Sequence, residues 1–316
     1  MADIVKIATR EAYGNALCEF ANDYDFVVLD ADLAAATKTS VFKKQYPDRF
    51  FNTGIAEGNM MSVAAGIASC GKTVFASSFA MFAAGRAFEQ VRNSICYPNL
   101  NVKIGATHAG ISVGEDGATH QCIEDIALMR AVPNMVVISP CDAIETREAV
   151  KAVLLHNGPV YLRLCRLAKE NIFENSSKCN FQIGKSTTLR EGNDLTIVAT
   201  GIMVHEALSA YEKLKAEGIK ARVIDMNTIK PIDKDVLIKA ANETGAIVTA
   251  EEHNVIGGLG SAVCEVISEA SPVPVLRIGV KDKFGTSGSP AELFKLYNLT
   301  ADDIYKKSKE ILKIKR

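Results

Sequence analysis

NVKIGATHAGISVGEDGATHQ (101–121) passes from an apolar run into a glycine-rich loop that carries His108 near its start and His120 near its end. A short apolar run bounded by turn-forming residues reads as a buried strand, and His108 then stands just past its carboxyl end. The same kind of run recurs as FVVLD (26–30), KTVFASS (72–78), MVVIS (135–139) and PVYLRL (159–164). Segments with helical spacing separate these runs, at 9–22, 57–69 and 142–156. Strand and helix alternating in this way predict a mostly parallel sheet with helices on both faces.

The rhythm fades between Cys165 and Asn193, where ENSSKCN and REGN are loop signals, and then resumes with DLTIVAT (194–200), KARVIDM (220–226), AIVTAEE (246–252) and VPVLRIG (273–279). The expected architecture is therefore α/β in two domains, each a mostly parallel sheet flanked by helices. The first spans 1–170, a linker 171–190, and the second 191–316. A chain of 316 residues is long enough for both to bury a core.

Composition narrows the function. With 48% apolar and 23% charged residues the chain has the balance of a globular protein. A net charge of −1 with mixed signs leaves no basic stripe for nucleic acid. The most membrane-like stretch, Gly58 to Gly85, is interrupted by Lys72 and by Ser77-Ser78, so no membrane span is expected. MADIVKIATREAYG lacks a secretory apolar core, and the eight cysteines form no C-x-x-C pair. Reduced thiols in a cytoplasmic protein are the expectation.

Ligands of open α/β sheets collect at the carboxyl ends of the strands. That rule selects Asp30 and Asp32, His108, Arg163 and Arg166, together with Glu57 at the helix start after FFNTG. His108 and His120 lie twelve residues apart, a spacing that zinc sites do not favour, whereas two imidazoles at a sheet mouth suit proton transfer. Glu57 has a bland reading as a partner of the helix dipole. Its small and apolar neighbours Ile55, Ala56, Gly58, Met60 and Met61 favour instead a carboxyl that needs a ligand to bond. Two nucleotide-binding look-alikes fail. QIGKST (182–187) has Cys179 where a P-loop needs its first glycine, and GGLGSA (257–262) lacks the last glycine of a dinucleotide fingerprint and reads as a helix start packed close to a neighbour. No G-x-S-x-G elbow is present.

Taken together, LDADLA (29–34), FFNTGIAEGNMM (50–61), SSFAMF (77–82), the 107–121 loop, PNMVVISPCD (133–142), GPVYLRLCR (158–166), IKPID (229–233) and AEEHNVIGGLGSAV (250–263) resemble the C-terminal portion of transketolase, over essentially the whole chain. The resemblance implies a pyrimidine-binding domain followed by a transketolase C-terminal domain, and a thiamine diphosphate cofactor. It implies that Glu57 bonds the pyrimidine ring, that Phe79 and Phe82 stack on it, and that Asp32 is a further cofactor contact. It makes His108 and His120 catalytic contacts to the reacting sugar and Asp116 a reader of a substrate hydroxyl. Arg10 and Arg166, with Arg163 assisting, become the grip on a sugar phosphate.

Two positions depart from the family pattern: Gly85 replaces a stacking aromatic, and Ala36, beside Thr37, replaces a phosphate-binding serine. The family's Mg2+ and diphosphate sit on a G-D-G…N motif that this sequence does not contain, so no metal ligand is expected on this chain. The expectation is a split transketolase of carbohydrate (pentose phosphate) metabolism. An N-terminal, diphosphate-binding partner subunit would complete its sites, in a self-associated α2β2 heterotetramer. Three other readings compete. One is a 2-oxo acid dehydrogenase β-like subunit, which AFEQV (87–91) resembles; the others are a deoxyxylulose-phosphate synthase-like chain and a non-catalytic homologue.

Overall fold

Strand Val102–Thr107 is buried at every position, as a central parallel strand requires when helices cover both faces. In a computed structural model, which describes residues 5–315, it lies mid-sheet in a seven-stranded array. The order is Thr228–Lys230, Val136–Ile138, Val160–Arg163, Val102–Thr107, Thr73–Phe79, Phe26–Asp30, Phe50–Asn52. All pairs are parallel except the first. The register sets Phe79 beside Thr107 and Ala106 beside Arg163, so the carboxyl ends form one rim.

Helices Thr9–Phe20 and Ala143–Leu155 cover one face of this sheet and Glu57–Ser69 the other. Glu57–Ser69 buries Met60, Met61, Ala64, Ala65 and Ala68, the paired three-to-four spacing of a helix with one inner face. Asp142 caps Ala143–Leu155 by accepting from the Glu145 backbone N–H. The second sheet runs Val275–Val280, Ile247–Asn254, Leu195–Ala199, Ala221–Asp225, Thr187–Arg190, with only the last pair antiparallel. Among the described residues no helix is long and apolar enough to cross a membrane.

The nine strand runs read from the sequence all appear, within a residue or two of the expected ends. Five strands were not anticipated. Phe50–Asn52, Lys6–Ile7 and Lys169–Glu170 are strands too short to leave a periodic signal. Thr187–Arg190, inside the stretch expected as linker, is the edge strand of the second sheet. Thr228–Lys230, inside the stretch expected as the second domain, instead joins the first sheet beside Val136–Ile138. Lys230 Nζ fixes it there by donating to the Arg130 and Val132 carbonyls at 2.9 and 2.5 Å. GGLGSA does open a helix, Leu259–Ala270. The Glu251 carboxylate accepts from its Leu259 and Gly260 N–H groups at 2.6 and 2.8 Å, so the anion seat of a dinucleotide site is filled from within.

The two sheets meet over a buried ionic junction. Arg163, expected to assist with phosphate, points into this junction: its Nε lies 2.8 Å from Asp125 and its Nη2 2.9 Å from the Glu252 carbonyl. Arg163 and Asp125 are both buried, and Tyr161 donates to the same Asp125 oxygen at 3.0 Å. Burial opposes the charge on Arg163, but Asp125 and Glu252 outweigh it and raise its pKa. Breaking such a pair leaves a desolvated carboxylate, so Arg163→Met should cost about 3–5 kcal/mol. Urea unfolding measures this, and the Asp125→Asn/Arg163→Met double variant should recover part of the loss; a single-variant cost below about 1 kcal/mol would show that the junction is wet.

Candidate functional site

The rim of the first sheet opens into a cleft whose wall includes Asp32, Ile55, Glu57, Phe82, Arg86 and His120. Glu57 opens its helix, and its side chain is only 1% exposed. Arg86 Nη1 donates to Glu57 Oε2 at 2.9 Å, and the Arg86 guanidinium carbon lies 4.6 Å from the Phe82 ring centroid. Phe82 and Arg86 reach the cleft from Met81–Arg86, a π-helical turn whose extra residue is a common device at functional sites. Sequence reading missed Arg86 because the wide turn, which re-aims it toward Glu57, looks like ordinary helix.

Phe79 and Phe82 stack with centroids 5.9 Å apart, and His120 meets Phe82 edge-on at 5.4 Å. His108 stacks on Phe79 at 3.8 Å. The structure therefore gathers Glu57, Phe79, Phe82, His108 and His120 along one continuous wall. Asp32 lies at the same cleft, exposed, and accepts from Asn52 at 2.8 Å. Asp32 and His108 both have φ near +60°, an unusual conformation for residues with side chains and one that gathers at ligand sites.

His108 is buried, and its hydrogen bonds fix its tautomer. Arg10 Nη1 stands 3.0 Å from Nε2, and a guanidinium only donates, so Nε2 is the acceptor and Nδ1–H donates to Thr107 Oγ1 at 2.9 Å. Burial, with Arg10, Arg166, His120 and Lys38 nearby, pushes the His108 pKa down to about 3. This imidazole is a fixed neutral dipole at neutral pH. His120 is only half-buried and has Thr119 Oγ1 2.9 Å from Nδ1; among the described residues nothing hydrogen-bonds its Nε2.

Arg10 also donates to the Ala36 carbonyl at 2.8 Å, and its pKa is lowered by burial and then by Arg166. Arg166 donates to the Val113 carbonyl and to Glu115 at 3.1 Å. With Lys38, which the sequence reading did not select, these side chains make a basic patch around His108. Thr37 does not belong to it: its hydroxyl is buried and donates to Asp30 at 2.7 Å. Asp116 is exposed at the tip of the 114–117 turn. The loop below it is pinned by Gln121, which donates to the Ile111, Gly114 and Thr286 carbonyls.

The neutrality of His108 has a thermodynamic signature. An unfolded histidine binds a proton near pH 6.5 while the folded one resists until about pH 3, so stability is lost as pH falls through that interval. Between pH 7 and pH 5 the wild type should lose about 2 kcal/mol more than His108→Gln does. Urea midpoints at the two pH values check this, and equal losses would mean that His108 is solvated.

Comparisons with known proteins agree with this geometry. Residues 5–170 match the profile of the transketolase pyrimidine-binding domain, and residues 184–304 that of the transketolase C-terminal domain. The chain is 52% identical over 306 residues to a transketolase C-terminal section of Methanocaldococcus jannaschii, covering 96% of each. It is 45% identical to a 6-deoxy-6-sulfo-D-fructose transketolase subunit of a Clostridium species, with 96% and 94% covered. Human transketolase is 38% identical, and the chain spans 48% of that protein. A solved structure described as an inactive beta4 tetramer of a split-gene transketolase superposes with a TM-score of 0.91 at 56% identity, covering 98% of this chain and all of that one. The chain therefore belongs to the transketolase family and carries its pyrimidine-binding and C-terminal domains.

Proposed function

We propose that the chain is one subunit of a split transketolase, moving a two-carbon ketol unit from a ketose phosphate to an aldose through thiamine diphosphate. The observation that carries this reading is the buried Glu57 carboxylate, set in one cleft wall with the Phe82 ring and His120. A planar aminopyrimidine asks for such a wall: an aromatic face to lie on and a carboxyl to share a proton with a ring nitrogen. When bound, the cofactor supplies the nucleophilic carbon and the electron sink. The chain's own residues hold and orient.

Glu57 holds the pyrimidine, and Phe79 and Phe82 shape its pocket. Asp32 assists from the exposed rim. His120, with a free Nε2, holds or moves a proton at the reacting oxygen. His108, neutral and locked, orients a sugar hydroxyl without bringing a charge of its own. Asp116 reads a hydroxyl further out. Arg10 and Arg166, joined by Lys38, attract the terminal anion of the sugar, and their planar forks suit a phosphate. The same patch fits a sulfonate.

The residues for the diphosphate end do not fit on this chain. The sequence contains no G-D-G…N motif, and the carboxylates at the cleft would repel a diphosphate. The proposal assigns Mg2+ and the diphosphate to an N-terminal partner subunit, with sites completed where the two chains meet in an α2β2 assembly. The eight unpaired thiols fit a reducing compartment such as the cytoplasm.

The test is ketol transfer from xylulose 5-phosphate to ribose 5-phosphate by the chain assembled with a G-D-G…N partner, with and without thiamine diphosphate. Glu57→Gln should lower kcat at least about 100-fold, and His120→Gln should do so with cofactor affinity retained. Full activity in the Glu57→Gln complex would remove the role given to this carboxyl. Activity of the chain without a partner would remove the split site.

A further inference from the structure

The contact between Arg86 and Glu57 is hard to reconcile with a carboxylate kept free for a ligand. Glu57 is almost wholly buried, whereas the Arg86 side chain is 55% exposed and reaches in from the rim. Its guanidinium is flat, lies 4.6 Å from the Phe82 centroid, and donates to Glu57 at 2.9 Å. A flat group that offers a π-surface to Phe82 and an N–H to Glu57 satisfies the same two demands as an aminopyrimidine. Phe79 and His120 already lie against Phe82, at 5.9 and 5.4 Å between centroids. The face toward Arg86 is therefore the one presented to the cleft.

Local backbone makes the placement possible. The π-helical turn Met81–Arg86 carries the arginine over the cleft. At Gly85, a Cβ would stand 2.4 Å from the Met81 methyl, so the methionine end packs where a neighbouring side chain would begin. With no side chain at 85, nothing from that position stands between Arg86 and the cleft.

We propose that Arg86 is a built-in placeholder for the cofactor ring: in the empty site its guanidinium neutralises Glu57 and covers Phe82, and it swings out when the ring arrives. The inference rests on the thiamine-diphosphate reading given above. A buried carboxylate without a partner is costly, so the placeholder stabilises the empty pocket. The consequence is that cofactor affinity is lowered by the fraction of sites in which Arg86 is home. Arg86 is thus a positioning residue acting through Glu57.

The test is calorimetric titration of thiamine diphosphate, with Mg2+, into the chain assembled with its diphosphate-binding partner. Arg86→Gln should bind about tenfold tighter than wild type. Arg86→Lys, which keeps a cation but no flat face, should fall between the two. In a Glu57→Gln background the Arg86→Gln gain should vanish, because the partner that held the arginine is gone. Equal or weaker binding by Arg86→Gln, Arg86→Lys weaker than wild type, or the same gain with and without Glu57, would each overturn the placeholder while leaving the thiamine site intact. A wild-type complex that takes up no thiamine diphosphate would instead sink the thiamine reading, and the placeholder with it.

Discussion

A single carboxylate from the second domain governs the shape of the first domain's site. Glu252, at the end of Ile247–Asn254, accepts from the Ser112 backbone N–H and sits so close to Gly110 that a Cβ there would lie 2.4 Å from its carboxyl carbon. Gly110 has φ +81°, so conformation and space both exclude a side chain. Beneath the carboxylate, Arg163 supplies counter-charge while itself paired with Asp125, and the Asn254 N–H donates to the Ile123 carbonyl at 2.8 Å. Burial, offset by Arg163 and Ser112, pushes the Glu252 pKa up to about 7. The loop that bears both histidines thus rests on a partly charged base whose parts come from both sheets.

Above that base, the site is organised by keeping charge and neutrality apart. His108 lies among Arg10, Arg166 and Lys38 and stays neutral because burial and three cations oppose a fourth charge. Its Nε2 is tied to Arg10, which fixes the ring's direction. His120, edge-on to the Phe79 and Phe82 rings, has among the described residues no hydrogen-bond partner at Nε2. Two histidines from one loop therefore become chemically unlike through their surroundings alone. The sequence spacing that groups them says nothing of that difference.

The fold was legible because central parallel strands leave continuous apolar runs, and because segments of helical spacing separate them. Glu57 stood out by the contrast between its charge and its neighbours. What escaped reading depended on distant chain segments. Arg163 has the same local sequence signal as Arg166, yet Asp125 and the Glu252 carbonyl draw it into the interior. Thr37 looked available until Asp30 claimed its hydroxyl. Lys38 sits at a left-handed helix cap with φ +69°, a conformation no local pattern announces for lysine. Three-residue strands such as Phe50–Asn52 and Thr228–Lys230 exist only because a neighbour's edge was there to receive them.

The last of these strands bears on how the chain can be divided. Thr228–Lys230 leaves the second domain, closes the outer edge of the first sheet against Val136–Ile138, and then returns to the second domain's helix Lys234–Thr244. The two family domains are thus stitched as well as joined in sequence. A protease nick between Asn171 and Arg190 would leave both fragments clasped together. A first domain produced by itself would show an open strand edge at Val136–Ile138, free to pair with any passing chain.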